Sequence, residues 1–240
     1  MSSSTVKLEV DLITIFIKTK MGWKQMIINL LGGGPDRYLP EISQAAEEDQ
    51  RWIGVDRGVF TLLSKGIQPY AAFGDFDSVN EQEWQRIERS VKNVQIYRPE
   101  KDQTDMELAL DWALAREPNR IHLYGATGGR LDHFFGNIQL LLKAELQKKR
   151  THIEMIDTQN HVYVKGAGRH KIEKKEDREY ISFIPVTPEI KGLTLEGFKY
   201  PLTNSHISFG STLCISNELV TDSGTFSFSE GILMVIRSKD

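Results

Sequence analysis

The feature that most constrains the fold is a change of hydrophobic period near residue 150. From Met26 to about Lys149, short apolar runs alternate with helical ones. The strand-like runs are Met26–Leu31, Trp52–Val55, Tyr70–Phe73, Val94–Tyr97 and Arg120–Tyr124. Each is followed by Gly, Asp or Pro punctuation. Between or after them lie helix-like runs. Asp105–Arg116 is the clearest, with Thr104 and Glu107 at capping-box spacing and Pro118 just beyond. Leu131–Lys148 repeats apolar residues at helical spacing on one face: Leu131, Phe134, Phe135, Ile138, Leu141 and Leu142. Continuous apolar strands alternating with helices predict an α/β region, a doubly wound parallel sheet covered on both faces.

After about Thr151 the helical period vanishes. The runs Thr151–Ile156, His161–Val164, His170–Glu173, Glu179–Pro185, Leu193–Phe198, Ile207–Ser216, Gly224–Ser229 and Ile232–Arg237 are separated mostly by Gly, Asn, Asp or Pro. Short strands spaced by turns predict an antiparallel β-sandwich or barrel. The expected organisation is therefore an extension at 1–25 outside the fold, an α/β domain at 26–150, and a β domain at 151–240.

Composition narrows the function classes. The net charge of −3 over 240 residues leaves no electrostatic footprint for nucleic acid or an anionic membrane. No run approaches the ~18 apolar residues of a membrane helix. Cys214 is the single cysteine, which excludes an intrachain disulfide and suits a reducing, cytoplasmic setting. It reads as core filler.

Chemistry gathers where the first-half strands end. The ends carry Gly32-Gly33-Gly34, then Asp56, then Gly74-Asp75-Phe76-Asp77-Ser78, then Lys101-Asp102-Gln103-Thr104-Asp105, then Gly125 through His133. In a parallel sheet these ends share one edge, where such folds bind ligands. Asp75 and Asp77, two apart in an extended segment, are expected to point the same way. Paired carboxylates need a cation, and magnesium uses one or two of them together with substrate phosphates. Asp105 is expected at the same edge as a further ligand. Asp102 and Asp105 also suit a helix N-terminus on simple dipole grounds, whereas Lys101 there opposes the dipole and suits an anionic ligand. Gly128 and Gly129 allow close backbone approach to phosphate, and Arg130 adds a planar donor fork. Asp132 either accepts hydrogen bonds from a nucleotide or serves the helix start. The triple glycine lacks the Lys-Ser/Thr of a P-loop. It also has Arg37 where a dinucleotide fingerprint needs its third glycine.

In order and spacing these segments resemble the thiamine pyrophosphokinase family, bacterial type. The marks are Gly32-Gly33-Gly34, Asp56, residues 74–78, residues 101–105, Gly128-Gly129-Arg130-Leu131-Asp132-His133 and Ser216-Asn217. The resemblance implies transfer of a pyrophosphoryl group from ATP to the thiamine hydroxyl, with Mg2+ as cofactor, AMP and thiamine diphosphate as products, and a homodimer sharing its sites. Carried over by position, Asp75, Asp77 and Asp105 hold magnesium. Asp56, Lys101, Asp102, Gly128, Gly129, Arg130 and Asp132 serve the nucleotide, with Arg130 also catalytic. Ser216 and Asn217 lie near thiamine. Two departures stand out: Arg57 follows Asp56, and no Trp occurs after Trp112, so Phe226 or Phe228 is a candidate to stack on thiamine. Rival readings are another ATP-dependent phosphotransferase on the same scaffold, or a non-catalytic thiamine or nucleotide sensor.

Overall fold

Ala72 and Phe73, adjacent on one strand, face opposite layers, and this alternation explains how the first half of the chain is built. The computed structural model describes residues 26–43, 49–76, 80–91, 93–96 and 102–240; the expected extension at 1–25 lies outside them. The chain divides into two compact units. One comprises the described residues through Gly34 with Glu41–Ala126 and Lys149–His152; the other comprises Pro35–Pro40, Thr127–Lys148 and Ile153–Asp240.

The first unit contains β1 (Ile27–Leu31), β2 (Gln50–Val55), β3 (Ala71–Gly74), β4 (Val94–Ile96) and β5 (Arg120–Tyr124). All pair in parallel, in the order β5-β1-β2-β3-β4. Ala72 belongs to a buried cluster with Val59, Leu63, Ile87 and Val91, contributed by α1 (Arg57–Ser64), α2 (Glu81–Ser90) and the residue closing α2. Phe73 turns the other way, its ring 5.7 Å from that of Trp112 on α3 (Asp105–Leu114). Helices thus cover both faces, as the unbroken apolar strands require. The Thr104 hydroxyl accepts from Glu107 N–H at 3.2 Å, so the predicted cap is in place.

After its Pro35–Pro40 segment, the second unit contains α4 (Leu131–Leu140) and α5 (Lys143–Leu146). The long helix expected over 131–148 is broken at Leu141-Leu142, whose N–H groups bond three residues back, to Ile138 and Gln139 carbonyls, rather than four. Its expected apolar face is not uniformly covered: Leu131 and Phe135 are 70% and 60% exposed, while Leu140 and Leu141 are buried. The strands are β6 (His152–Ile156), β7 (Asn160–Glu173), β8 (Tyr180–Pro185), β9 (Glu189–Glu196), β10 (Leu202–Ser208) and β11 (Ser223–Ser238). They pair antiparallel in the order β10-β9-β11-β7-β6, with β8 also on β11. β11 pairs β9 along its first half and β8 along its second, with an irregularity between Phe228 and Ile232 where the partner changes. The result is the sandwich-like β region predicted. Its core holds Phe183, Ile190, Leu195, Phe226, Leu233 and Val235.

Two boundaries differ from expectation for one reason. Gly166 and Gly168 read as breaks between strands, and Gly231 likewise. Yet β7 and β11 run through them, because each is the other's hydrogen-bonding partner over 13 paired positions. Conversely, Ile207–Ser216 is a strand only as far as Ser208; residues beyond it turn.

Candidate functional site

Strand order locates the first part of the site. The chain lays down β1 to β4 outward in one direction, then returns to place β5 on the other side of β1. That reversal puts a crevice beyond the carboxyl ends of β1 and β5. Gly32 N–H donates to Tyr124 O, and Gly34 N–H to Gly125 O, both at 2.9 Å. The two loops touch closely. Gly125 has φ +58°, and a Cβ there would sit 2.5 Å from Gly32 O. A Cβ on Gly32 would meet Met106 Cε at 2.8 Å. Met106 follows Asp105, so the start of α3 lies over the end of β1. The glycines are there for backbone approach, which is also what a phosphate chain needs.

Asp56 closes β2 in an unusual conformation, φ 49° and ψ −125°, with its N–H bonded to Phe73 O at 2.8 Å. Its Oδ1 is buried, and a Cβ on Gly74 would collide with it. A non-glycine residue held there stores strain of roughly 1–3 kcal/mol, which points to a site rather than a simple turn. Asp75 follows β3 and is half-buried, as is Asp105 at the first turn of α3; Asp102 is exposed. Arg57, beside Asp56, is exposed.

One geometric expectation is corrected. The segment after Gly74 is not extended, because Phe76 adopts φ 58°. Its ring is buried in the α1–α2 cluster, 5.2 Å from Trp84. Core packing bends the chain directly after Asp75, so alternation cannot be used to align Asp75 with Asp77. Asp77, Ser78 and Lys101 lie outside the described residues. Among the described residues no cluster of three His, Cys, Asp or Glu side chains is assembled. Asp75 and Asp105 nevertheless supply hard carboxylate oxygen at one sheet edge. Their chemistry fits a cation such as Mg2+, which commonly completes its shell with substrate phosphates and water.

The second unit carries the glycine loop. Gly128 and Gly129 have φ +77° and +70°, so successive N–H groups turn toward one side ahead of α4. A Cβ on Gly128 would strike the Tyr38 ring, whereas Gly129 faces open space. Arg130 forks onto Asp132, Nε to Oδ1 at 3.1 Å and Nη2 to Oδ2 at 2.5 Å. Asp132 Oδ1 also accepts from His133 N–H at 2.9 Å. The hydrogen bond from Arg130 is the main cause holding the Asp132 carboxyl at about 2. Both side chains are well exposed, so a phosphate can replace the carboxylate on the fork at little cost. The sequence reading missed Thr127. It is 8% exposed, and its Oγ1 is buried with no hydrogen-bond partner among the described residues. Its position inside a Gly-Ala-Thr-Gly-Gly loop was the available signal.

Ser216 and Asn217 divide their work. Ser216 is exposed at φ 54°, its N–H donating to Ser182 Oγ at 2.9 Å. Asn217 is 2% exposed, and its amide is already occupied. Nδ2 donates to Tyr200 O at 2.8 Å, while Oδ1 accepts from the Tyr200 and Glu218 N–H groups at 3.0 and 2.9 Å. Asn217 therefore clamps the turn that presents Ser216. Phe226 and Phe228, proposed as stacking platforms, are instead core residues at 1% and 5% exposure; Phe226 packs 5.1 Å from Phe183. Cys214 is buried in the same core, and burial pushes its thiol pKa up, which suits filler rather than a nucleophile. Among the described residues, no helix is long and apolar enough to cross a membrane.

Comparison with known proteins agrees with the motifs. Residues 42–155 match the family model described as "Thiamin pyrophosphokinase, catalytic domain", and residues 169–233 match "Thiamin pyrophosphokinase, vitamin B1 binding domain". A thiamine pyrophosphokinase of Bacillus subtilis (strain 168) is 54% identical over 213 residues, covering 89% of this chain and 99% of the relative. The crystal structure of thiamine pyrophosphokinase from Bacillus subtilis superposes with a TM-score of 0.84 at the same identity and coverage. Thiamin pyrophosphokinase from Candida albicans shares only 15% identity but superposes at TM-score 0.73 over 92% of each chain, which extends the likeness of fold.

Proposed function

The chain belongs to the thiamine pyrophosphokinase family, and we propose that it transfers a pyrophosphoryl group from ATP to the hydroxyl of thiamine, giving AMP and thiamine diphosphate. It is an enzyme, a transferase of the kinase type. The observation that carries the residue-level reading is the meeting of β1 and β5 at the reversal of strand order. Gly32 and Gly125 touch there, with strained Asp56 and half-buried Asp75 at the neighbouring strand ends.

In this reading the thiamine hydroxyl oxygen attacks the β-phosphorus in line. The bond from that phosphorus to the α–β bridging oxygen breaks, and AMP leaves with the electron pair. The hydroxyl proton passes to a carboxylate or to water. The Gly128-Gly129 turn cradles phosphate through backbone N–H groups, Thr127 offers its hydroxyl there, and Arg130 exchanges Asp132 for a phosphate oxygen. Asp56, Lys101, Asp102 and Asp132 position the nucleotide. Asp75, Asp77 and Asp105 would hold Mg2+, which when bound offsets charge on the phosphate oxygens. Ser216 meets thiamine from the β domain, held by Asn217. Most of the rate gain comes from positioning and preorganised charge. The exposed Leu131 and Phe135 beside Arg130 and Asp132 support a working homodimer, which sedimentation of the purified chain would test.

The deciding experiment incubates the purified chain with ATP, magnesium and thiamine and separates the products. AMP and thiamine diphosphate in equal amounts are expected. ADP with thiamine monophosphate would replace this reading with simple phosphoryl transfer, and no thiamine product would overturn it.

A further inference from the structure

The far end of β11 holds a cation that the proposed reaction does not use. Arg237 is 4% exposed, paired in register with Ile181 on β8 and His161 on β7. Its Nη1 donates to Glu173 O at 2.6 Å, and its Nη2 reaches Arg178 O only at 3.5 Å. Both acceptors are neutral carbonyls. Its Nε is buried and has no hydrogen-bond partner among the described residues, and the same is true of Arg178 Nε. Arg178 is otherwise satisfied, by Asp177 and by Asp157 O at 2.9 Å. Among the described residues no carboxylate is hydrogen-bonded to Arg237, and Asp177 acts on it only through its charge. Burying a guanidinium with no directly bonded counter-charge is costly, and here burial pulls the Arg237 pKa below its ordinary value.

The surroundings suggest what offsets that cost. Arg237, Lys174 and Lys175 line one small cavity of ≈ 50 Å³. Ile181 and Leu219 give it an apolar wall, and two carboxylates, Glu179 and Glu218, also border it. Glu218 is already held by Lys199 at 2.7 Å, so three cations and one other carboxylate, Glu179, border the cavity. The volume is several times the roughly 10–15 Å³ that one water requires, enough for a few heavy atoms but not for a nucleotide. A planar donor fork with two ammonium groups suits tetrahedral oxyanions.

We propose that this cavity is an anion site of the β domain, taking inorganic phosphate or the terminal phosphoryl group of an organic phosphate. Arg237 supplies the buried fork and Lys174 and Lys175 the outer charges. None of its lining residues is assigned to pyrophosphoryl transfer, so the two readings stand or fall separately.

The test is thermal unfolding of the full chain in phosphate-free buffer, titrated with potassium phosphate against potassium chloride at matched ionic strength. Phosphate should raise Tm saturably beyond chloride, giving an apparent Kd. Lys174→Ala/Lys175→Ala should weaken that Kd about tenfold, the equivalent of ~1.4 kcal/mol. Lys149→Ala/Arg150→Ala, with the same charge loss elsewhere, should not. Arg130→Ala should also retain the shift, which separates this site from the glycine loop. Arg237→Gln should abolish it; if that variant fails to fold, the lysine pair carries the test. Glycerol phosphate matching inorganic phosphate would identify an esterified ligand as acceptable, and no effect from it would restrict the site to the free anion. No phosphate-specific shift, a shift unchanged in the lysine variant, or a shift lost in Arg130→Ala would each overturn the proposal.

Discussion

The two units bury apolar surface by opposite rules, and they place their chemistry accordingly. In the parallel unit, β1 and β3 are buried almost throughout, with no polar face left to carry function. The functional residues are pushed to the strand ends, where the backbone takes conformations as unusual as those of Asp56 and Phe76. In the antiparallel unit, the first half of β11 alternates buried and half-buried positions, and Phe226 and Phe228 fill the inner face. Chemistry there sits on turns such as 216–218, fixed by side chains that hold backbone. The difference teaches where damage shows. Changes at the strand ends of the first unit should cost turnover and spare stability. Changes in the β core should do the reverse.

The largest effect expected is at Asp75. Asp75→Asn should lower kcat by about 10³-fold, a value typical of losing a preorganised charge at a developing anion, with Tm unchanged. Near wild-type turnover in saturating magnesium would remove Asp75 from the metal site and blur the contrast. Next comes Phe226→Ala, expected to cost about 3–5 kcal/mol in urea unfolding as a fully buried aromatic is lost. The folded fraction should keep its KM for thiamine; a large rise in KM would return Phe226 to the substrate. Asn217→Ala is intermediate. It leaves the Tyr200 carbonyl and the Tyr200 and Glu218 N–H groups unpaired, at about 1–3 kcal/mol. Because the turn carries Ser216, KM for thiamine should rise more than kcat falls; unchanged KM with lowered stability would make the clamp purely structural.

The smallest effect concerns Asp132. Its carboxyl lies at about 2 against an ordinary 3.8. The stabilisation this represents is present above pH 3.8 and fades as pH falls through 2. Arg130 and Asp132 are both exposed, so Arg130→Ala should lower stability near neutrality only slightly, and it should return the Asp132 titration, followed by carboxyl NMR, to the ordinary range. A titration still near 2 would assign the depression to the His133 N–H instead.

Several of these residues were visible before any fold was known. The strand Arg120–Tyr124 and the start of α3 at Asp105, capped by Thr104, follow from local period and capping chemistry alone. The acidic and glycine motifs stood out because their residue types suit phosphate and metal. Thr127 was passed over because its glycine loop marks only the segment, while burial of its hydroxyl without a partner among the described residues is decided by tertiary packing. Asn217 was legible as a motif residue but not as a clamp, since two of its three hydrogen bonds depend on Tyr200 lying across from it.

By itself, the sequence determined the α/β-then-β order, the strand-end placement of Asp56, Asp75 and Asp105, and the family. These depend on periodicity and residue chemistry over a few neighbouring positions. Tertiary structure decided that β7 and β11 run through their glycines, because a strand's continuity depends on the partner that bonds it. It decided that Phe76 bends the chain after Asp75, because a core cavity takes its ring. And it decided that Arg237 is a buried cation beside two lysines, because charges distant in sequence meet only when β7, β8 and β11 pair.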